Sequence, residues 1–138
     1  MNIGYAYVVA DMFHVGHLNH IAACKALCDK LIVGVLTDKA TMEKKPRPII
    51  PFEERLVVVA SLKCVDVAIR QETYSPIPNV KQLHVDILFE STSHAAEAIN
   101  DARIAMAGID GRLIVMPYYA GRSSTSIKKK IIERFFIV

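Results

Sequence analysis

No apolar run in this 138-residue sequence is long enough to span a membrane, and Asp11 interrupts the N-terminal apolar stretch before it can serve as a leader. A cytoplasmic protein without membrane association is expected. Cysteine is scarce: Cys24, Cys28 and Cys64 give an odd count with no CxxC spacing, which excludes a disulfide framework and reads as reduced thiols. A zinc site built from His14, His17, His20 and Cys24 matches none of the usual ligand spacings. Charge is also sparse. Charged residues make up 22%, and 17 basic against 14 acidic residues leave a net +3, too small an excess to argue for nucleic acid. Repeats, linkers and low-complexity segments are missing, so one domain over 1–138 is expected.

What is there is 52% hydrophobic sequence arranged as alternating strand and helix patterns. Short runs rich in Val, Ile and Leu predict strands over 3–9, 31–37, 65–69, 86–90 and 113–116. Helices fit 18–29, 52–62, 94–107 and 125–135, with a short turn at 79–83. Pro51, Glu53 and Glu54 suit a helix start, and Ser93 and Ser124 suit caps. Alternating βα units predict an α/β fold: a Rossmann-like five-stranded parallel sheet with helices on both faces. Ligands in such sheets bind at the carboxyl ends of the strands, where the strand order reverses.

The stretch Asp11-Met12-Phe13-His14-Val15-Gly16-His17 falls at that place, between the first strand and the first helix. Unpaired N–H groups and the helix dipole favour an anion there, and Gly16 lets a phosphate approach the main chain. His14 and His17 would both donate to it. Three further features stand out. Thr37-Asp38 leads into a loop with Lys44, Lys45 and Arg47, read either as a solvated basic loop or as a lid over a triphosphate. Arg55 is either a helix surface residue or an anion clamp. Gly121-Arg122-Ser123-Ser124-Thr125 before the last helix is either an ordinary cap or a second anion nest.

These residues resemble the HxGH nucleotidyltransferase superfamily, in the branch of glycerol-3-phosphate cytidylyltransferase and, more loosely, the cytidylyltransferase domains of phosphonate pathways. The resemblance covers nearly the whole chain. It rests on the stretch Val8-Val9-Ala10-Asp11-Met12-Phe13-His14-Val15-Gly16-His17, and on Thr37-Asp38, Lys44, Glu53-Glu54-Arg55, Val65-Asp66 and Tyr118-Tyr119-Ala120-Gly121-Arg122-Ser123-Ser124-Thr125. The chain departs from the branch where Val8-Val9-Ala10 replaces Gly-Thr-Phe, where Tyr118 replaces an arginine, and at Glu90-Ser91-Thr92.

The resemblance implies transfer of CMP from CTP to a small phosphate- or phosphonate-bearing acceptor, with pyrophosphate leaving bound to Mg²⁺. It implies His14, His17 and Lys44 as catalytic residues. Val9, Ala10, Asp11, Gly16, Gly121, Arg122, Ser123, Ser124 and Thr125 would bind the nucleotide. Arg55, Glu90 and Tyr118 would bind the acceptor. Asp11 would orient its loop or ligate the metal. Relatives imply a symmetric homodimer. The alternatives are an ATP-using adenylyltransferase, of the FAD synthetase or pantetheine-phosphate adenylyltransferase type, and a non-catalytic nucleotide-binding module. Both histidines are expected at a loop edge, where substitution lowers turnover and barely moves stability.

Overall fold

A computed structural model describes residues 1–117 and 123–136. Its elements run β1 (Ile3–Val8), α1 (Val15–Lys25), β2 (Lys30–Leu36), α2 (Asp38–Thr41), α3 (Phe52–Ala60), β3 (Val67–Gln71), α4 (Ile77–Leu83), β4 (Ile87–Ser91), α5 (Ala96–Ala107), β5 (Arg112–Met116) and α6 (Ser124–Phe135). The five strands pair in parallel in the order β3-β2-β1-β4-β5. This is the α/β Rossmann-like architecture that the alternating pattern predicts.

Successive residues of β1 serve opposite faces, as the pleat requires. Ala6 packs with Ile21 and Cys24 of α1 and with Phe52 and Val59 of α3. Tyr5 packs with Val80 of α4 and with Ala102 and Met106 of α5. Helices therefore cover both faces, and β1 sits where the chain turns to β2 on one side and β4 on the other. The crevice beyond the carboxyl ends of β1 and β4 is the switch point where ligands bind in such folds. No described helix is long and apolar enough to cross a membrane.

Several boundaries differ from expectation for identifiable reasons. α1 begins three residues early because His14 caps it. It ends at Lys25, and the chain then turns so that Asp29 and Asn2 exchange bonds of 2.6 and 2.9 Å. β3 starts two residues late because Asp66 is used at the sheet corner, where its carboxylate accepts from Leu31 N–H and Lys25 Nζ, each at 2.8 Å. α5 starts at Ala96 without a side-chain cap, since Ser93 pairs with Ser91 instead. Ser123, not Ser124, caps α6. The single turn α2, capped by Thr37, was hidden in what reads as a polar loop.

Candidate active site

The turn from β1 into α1 is held in an unfavourable backbone conformation. Ala10 (φ 60°) and Met12 (φ 48°) on either side of Asp11 are both left-handed, at about 1–2 kcal/mol each for a residue with a Cβ. Three other parts of the chain hold them there. Ile49 and Ile50 donate their N–H groups to Asp11 Oδ2 and Oδ1 at 3.0 and 2.9 Å. Ser124 Oγ donates to the Asp11 carbonyl. Arg55 Nη1 donates to the Val9 carbonyl at 2.6 Å.

Asp11 is 5% exposed, and Lys128 Nζ lies 3.5 Å from Oδ2. Burial alone would raise its carboxyl, but the two N–H bonds and the Lys128 ammonium outweigh that and hold it below the usual carboxylate range. Both oxygens are therefore committed, and no group of three metal-ligating side chains occurs among the described residues. Asp11 does not fit the role of a magnesium ligand. It orients the loop.

The two histidines form a reciprocal cap. His14 Nδ1 accepts from Gly16 N–H at 3.0 Å, and His17 Nδ1 accepts from His14 N–H at 3.1 Å. Accepting at Nδ1 places the ring proton of each on Nε2. The rings lie 4.0 Å apart, and Phe13 stacks on His17. Burial, then the neighbouring His14, push the His17 pKa down to about 4. His17 is thus a neutral imidazole with one N–H donor, fixed in orientation by the backbone it caps.

These elements open onto a cavity of about 730 Å³. Val9, Asp11, His14, Gly16 and His17 line it, together with Ser123, Ser124, Thr125 and Lys128 at the start of α6. Thr41, Lys45, Pro46 and Tyr74 line it too. Tyr7, Ser91, Ser93 and His94 line the end above β1 and β4. The N-terminal turns of two helices, α1 and α6, thus border one cavity. Either is an ordinary anion site, and together with Lys45 and Lys128 they suit a polyanion.

Four expectations change. Arg55 is fully buried and off the cavity wall: Nε donates to Ile50 O at 2.8 Å, Nη1 to Val9 O and Leu36 O, and Nη2 to Asp38 Oδ1 at 2.7 Å. With those donors committed to the protein, it ties α3 to the ends of β1 and β2 and does not clamp an acceptor. Glu90 is 1% exposed and lies behind the wall, where it accepts from Tyr7 and pairs with His94. Lys44 lies over the Tyr74 ring at 5.1 Å, and its neighbour Lys45 lines the cavity. Ala10 is buried rather than exposed to a nucleotide. Tyr118, Gly121 and Arg122 lie outside the described residues. The sequence reading named Lys45 only as part of the candidate lid loop, and did not place Lys128, His20 or Tyr7 at the site. Lys128 follows Ser124 by four residues and His20 follows His17 by three, so helical spacing held the signal for both.

The model of the family described as cytidylyltransferase-like matches residues 7–130. The chain belongs to this family. It is a nucleotidyltransferase. The bifunctional protein HldE of Caulobacter sp. strain K31 is 28% identical over 129 residues, covering 92% of this chain and 26% of that protein. The chain thus spans about a quarter of the length of the curated relatives it matches. A solved structure of the lipopolysaccharide core biosynthesis protein from Thermoplasma volcanium is 28% identical with a TM-score of 0.76, over 86% of this chain and 98% of that one. TmcAL from Thermotoga maritima, solved with alpha-thio ATP, shares the fold at a TM-score of 0.70 and 14% identity, over 97% of this chain and 51% of that one.

Proposed function

We propose that this cytidylyltransferase-like domain transfers CMP from CTP to a small acceptor carrying a phosphate or phosphonate. An acceptor oxygen attacks the α-phosphorus. The bond from that phosphorus to the oxygen bridging the β-phosphate breaks, and pyrophosphate leaves. An ionised acceptor brings its own nucleophile, so the work of the protein is positioning and charge stabilisation. The observation that carries the reading is the pair of rings at the start of α1. Both rings, with their Nδ1 atoms committed to the backbone, line one cavity that the hydroxyl-rich start of α6 lines as well.

In this mechanism His14 and His17 donate to the α-phosphate oxygens as charge builds on them. A rigid, already oriented donor costs no reorganisation at that moment. Lys45 from the loop and Lys128 from α6 neutralise the leaving pyrophosphate, and Lys44 swings from Tyr74 as the loop closes. Ser123, Ser124 and Thr125, with Gly121 and Arg122 before them, hold the β- and γ-phosphates. Val9 and Gly16 flank the α-phosphate. Mg²⁺ enters as part of the nucleotide substrate, coordinated by its phosphates, as that ion prefers. The acceptor occupies the end lined by Tyr7, Ser91 and His94, and Tyr118 is a further acceptor-binding residue. CTP as donor implies a cytoplasmic reaction. A symmetric homodimer would cover part of the exposed apolar surface of α6, at Ile131, Ile132 and Phe135.

The test is pyrophosphate release with each nucleoside triphosphate singly, Mg²⁺, and a panel of small phosphates and phosphonates. CTP with a two-carbon phosphonate such as 2-hydroxyethylphosphonate is expected to give the highest kcat/KM. Glycerol 3-phosphate winning by tenfold, about 1.4 kcal/mol of discrimination, would overturn the acceptor. Release with ATP alone would overturn the donor, and no release with any pair would leave a binding module.

A further inference from the structure

With Arg55 buried elsewhere, the acceptor end of the cavity needs another source of positive charge. Glu90 lies directly behind that end. Tyr7 O–H, from β1, donates to its two oxygens at 2.8 and 2.9 Å, and His94 Nδ1 pairs with Oε2. Burial, and next the charge of Glu90, push the Tyr7 phenol far above its ordinary pKa, so Tyr7 remains a donor. Oε2 is an acceptor, and the proton in its contact with His94 therefore sits on Nδ1. The remaining ring nitrogen of His94 is Nε2.

A carboxylate this deeply buried needs a countercharge. Among the described residues, His94 is its ion-pair partner. The His94 side chain is 26% exposed and lines the cavity with Ser91 and Ser93, whereas Glu90 does not reach it. A cationic group on an acceptor would find no open carboxylate here. An anionic group would find an imidazolium N–H whose charge is balanced from behind. This is the reverse of His14 and His17, whose Nδ1 atoms accept.

We propose that His94, held by Glu90 and Tyr7, is the seat for the acceptor's anion: the Nε2–H of its imidazolium takes a phosphate or phosphonate oxygen. The proposal rests on the transferase reading and deepens it. The titratable groups that face His94 are Glu90 from β4, Tyr7 from β1, and His20 from α1. Burial, then His94 itself, push the His20 pKa down.

The test follows the histidine rings of the full chain by ¹⁵N–¹H correlation. Methylphosphonate is titrated in while α,β-methylene-CTP, which cannot be cleaved, holds the nucleotide half. The His94 ring signals should move saturably. His94→Gln should weaken methylphosphonate binding by about tenfold or more, as loss of a charge-assisted bond implies, and leave binding of the nucleotide analogue unchanged. In turnover the same variant should raise the acceptor KM far more than it lowers kcat. Unmoved His94 signals in the wild type, or a folded His94→Gln that binds methylphosphonate as tightly as wild type, would overturn the proposal. Absence of pyrophosphate release from the wild type would instead sink the transferase reading, and the ring titration would still decide the seat.

Discussion

Replacing Arg55 separates two roles that sequence alone leaves equivalent. Its guanidinium makes four hydrogen bonds, three to backbone carbonyls and one to Asp38, and its side chain has no exposed surface. Arg55→Met keeps the volume and removes every donor. It strands the Ile50, Val9 and Leu36 carbonyls and leaves Asp38, whose side chain is 26% exposed, without its partner. Breaking one side of a buried pair costs about 3–5 kcal/mol. Asp38 is partly solvated, so its share belongs at the lower end, and the carbonyls add to it; about 4 kcal/mol is expected. A chain of 138 residues unfolds with an entropy near 0.3 kcal/mol/K, so Tm should fall by about 13 °C. Arg55→Lys keeps the charge but has one nitrogen for four acceptors, and should recover only part of the loss. Melting followed by circular dichroism reads the stability. Steady-state kinetics at low temperature read the acceptor KM, which should stay near wild type in the folded protein. A variant that melts within about 2 °C of wild type yet binds acceptor tenfold more weakly would refute the buried role and restore Arg55 as an anion clamp.

His14→Ala or His17→Ala should lower kcat by roughly 10²–10³, the usual loss for one preorganised donor. Because each ring also caps α1, stability should fall by about 1 kcal/mol, which urea unfolding will show. Lys45→Ala should lower turnover more than Lys44→Ala, since Lys45 lines the cavity and Lys44 lies on Tyr74. Acid should destabilise the protein in two stages. The folded pKa of His17, about 4, lies below its value of 6.5 in the unfolded chain, so the unfolded state binds more protons and stability falls as pH drops from 6.5 toward 4. Asp11 and Asp66 have lowered folded pKa values, so their contribution is lost only as pH falls further, below the usual carboxylate range. Denaturant midpoints measured across pH check both stages, and His17→Gln should shrink the first, leaving the part that His20, also lowered, contributes. Gly34→Ala should cost about 1–3 kcal/mol, because its Cβ would fall 1.9 Å from Tyr5 Oη and 2.6 Å from Gln71 Oε1 and part that buried hydrogen bond.

Strand identity was legible because a sheet covered on both faces demands continuous apolar runs, and few other structures do. Element ends were less legible, since they depend on partners far away in sequence: Asp29 on Asn2, and Asp66 on Leu31. An imidazole is an uncommon cap, so His14 read as a ligand alone and α1 was started three residues late. The Lys44 and Lys45 pair offers no periodicity by which to choose between them.

Two site features were readable in principle. On α3 the buried residues are Phe52, Arg55 and Val59, at spacings of three and four. Arg55 therefore shares a face with core residues, and a positive charge on that face has to find acceptors inside the protein, not a ligand outside it. The second feature needs the sheet pairing as well. Gly4 lies opposite Ile87 and Tyr5 opposite Leu88. Carrying that parallel register forward two residues sets Tyr7 beside Glu90, where the phenol and the carboxylate meet. His94 follows Glu90 by four residues and turns back onto the same carboxylate. No local pattern marks a tyrosine eighty-three residues upstream as part of this cluster. The order β2-β1-β4 does, because it makes β1 and β4 neighbours at the switch point. Their carboxyl ends then bring together a phenol, a carboxylate and an imidazole beside the cavity. A cation balanced from behind by a buried carboxylate can receive one small anion there, and that is the chemistry a nucleotidyltransferase needs at its second substrate.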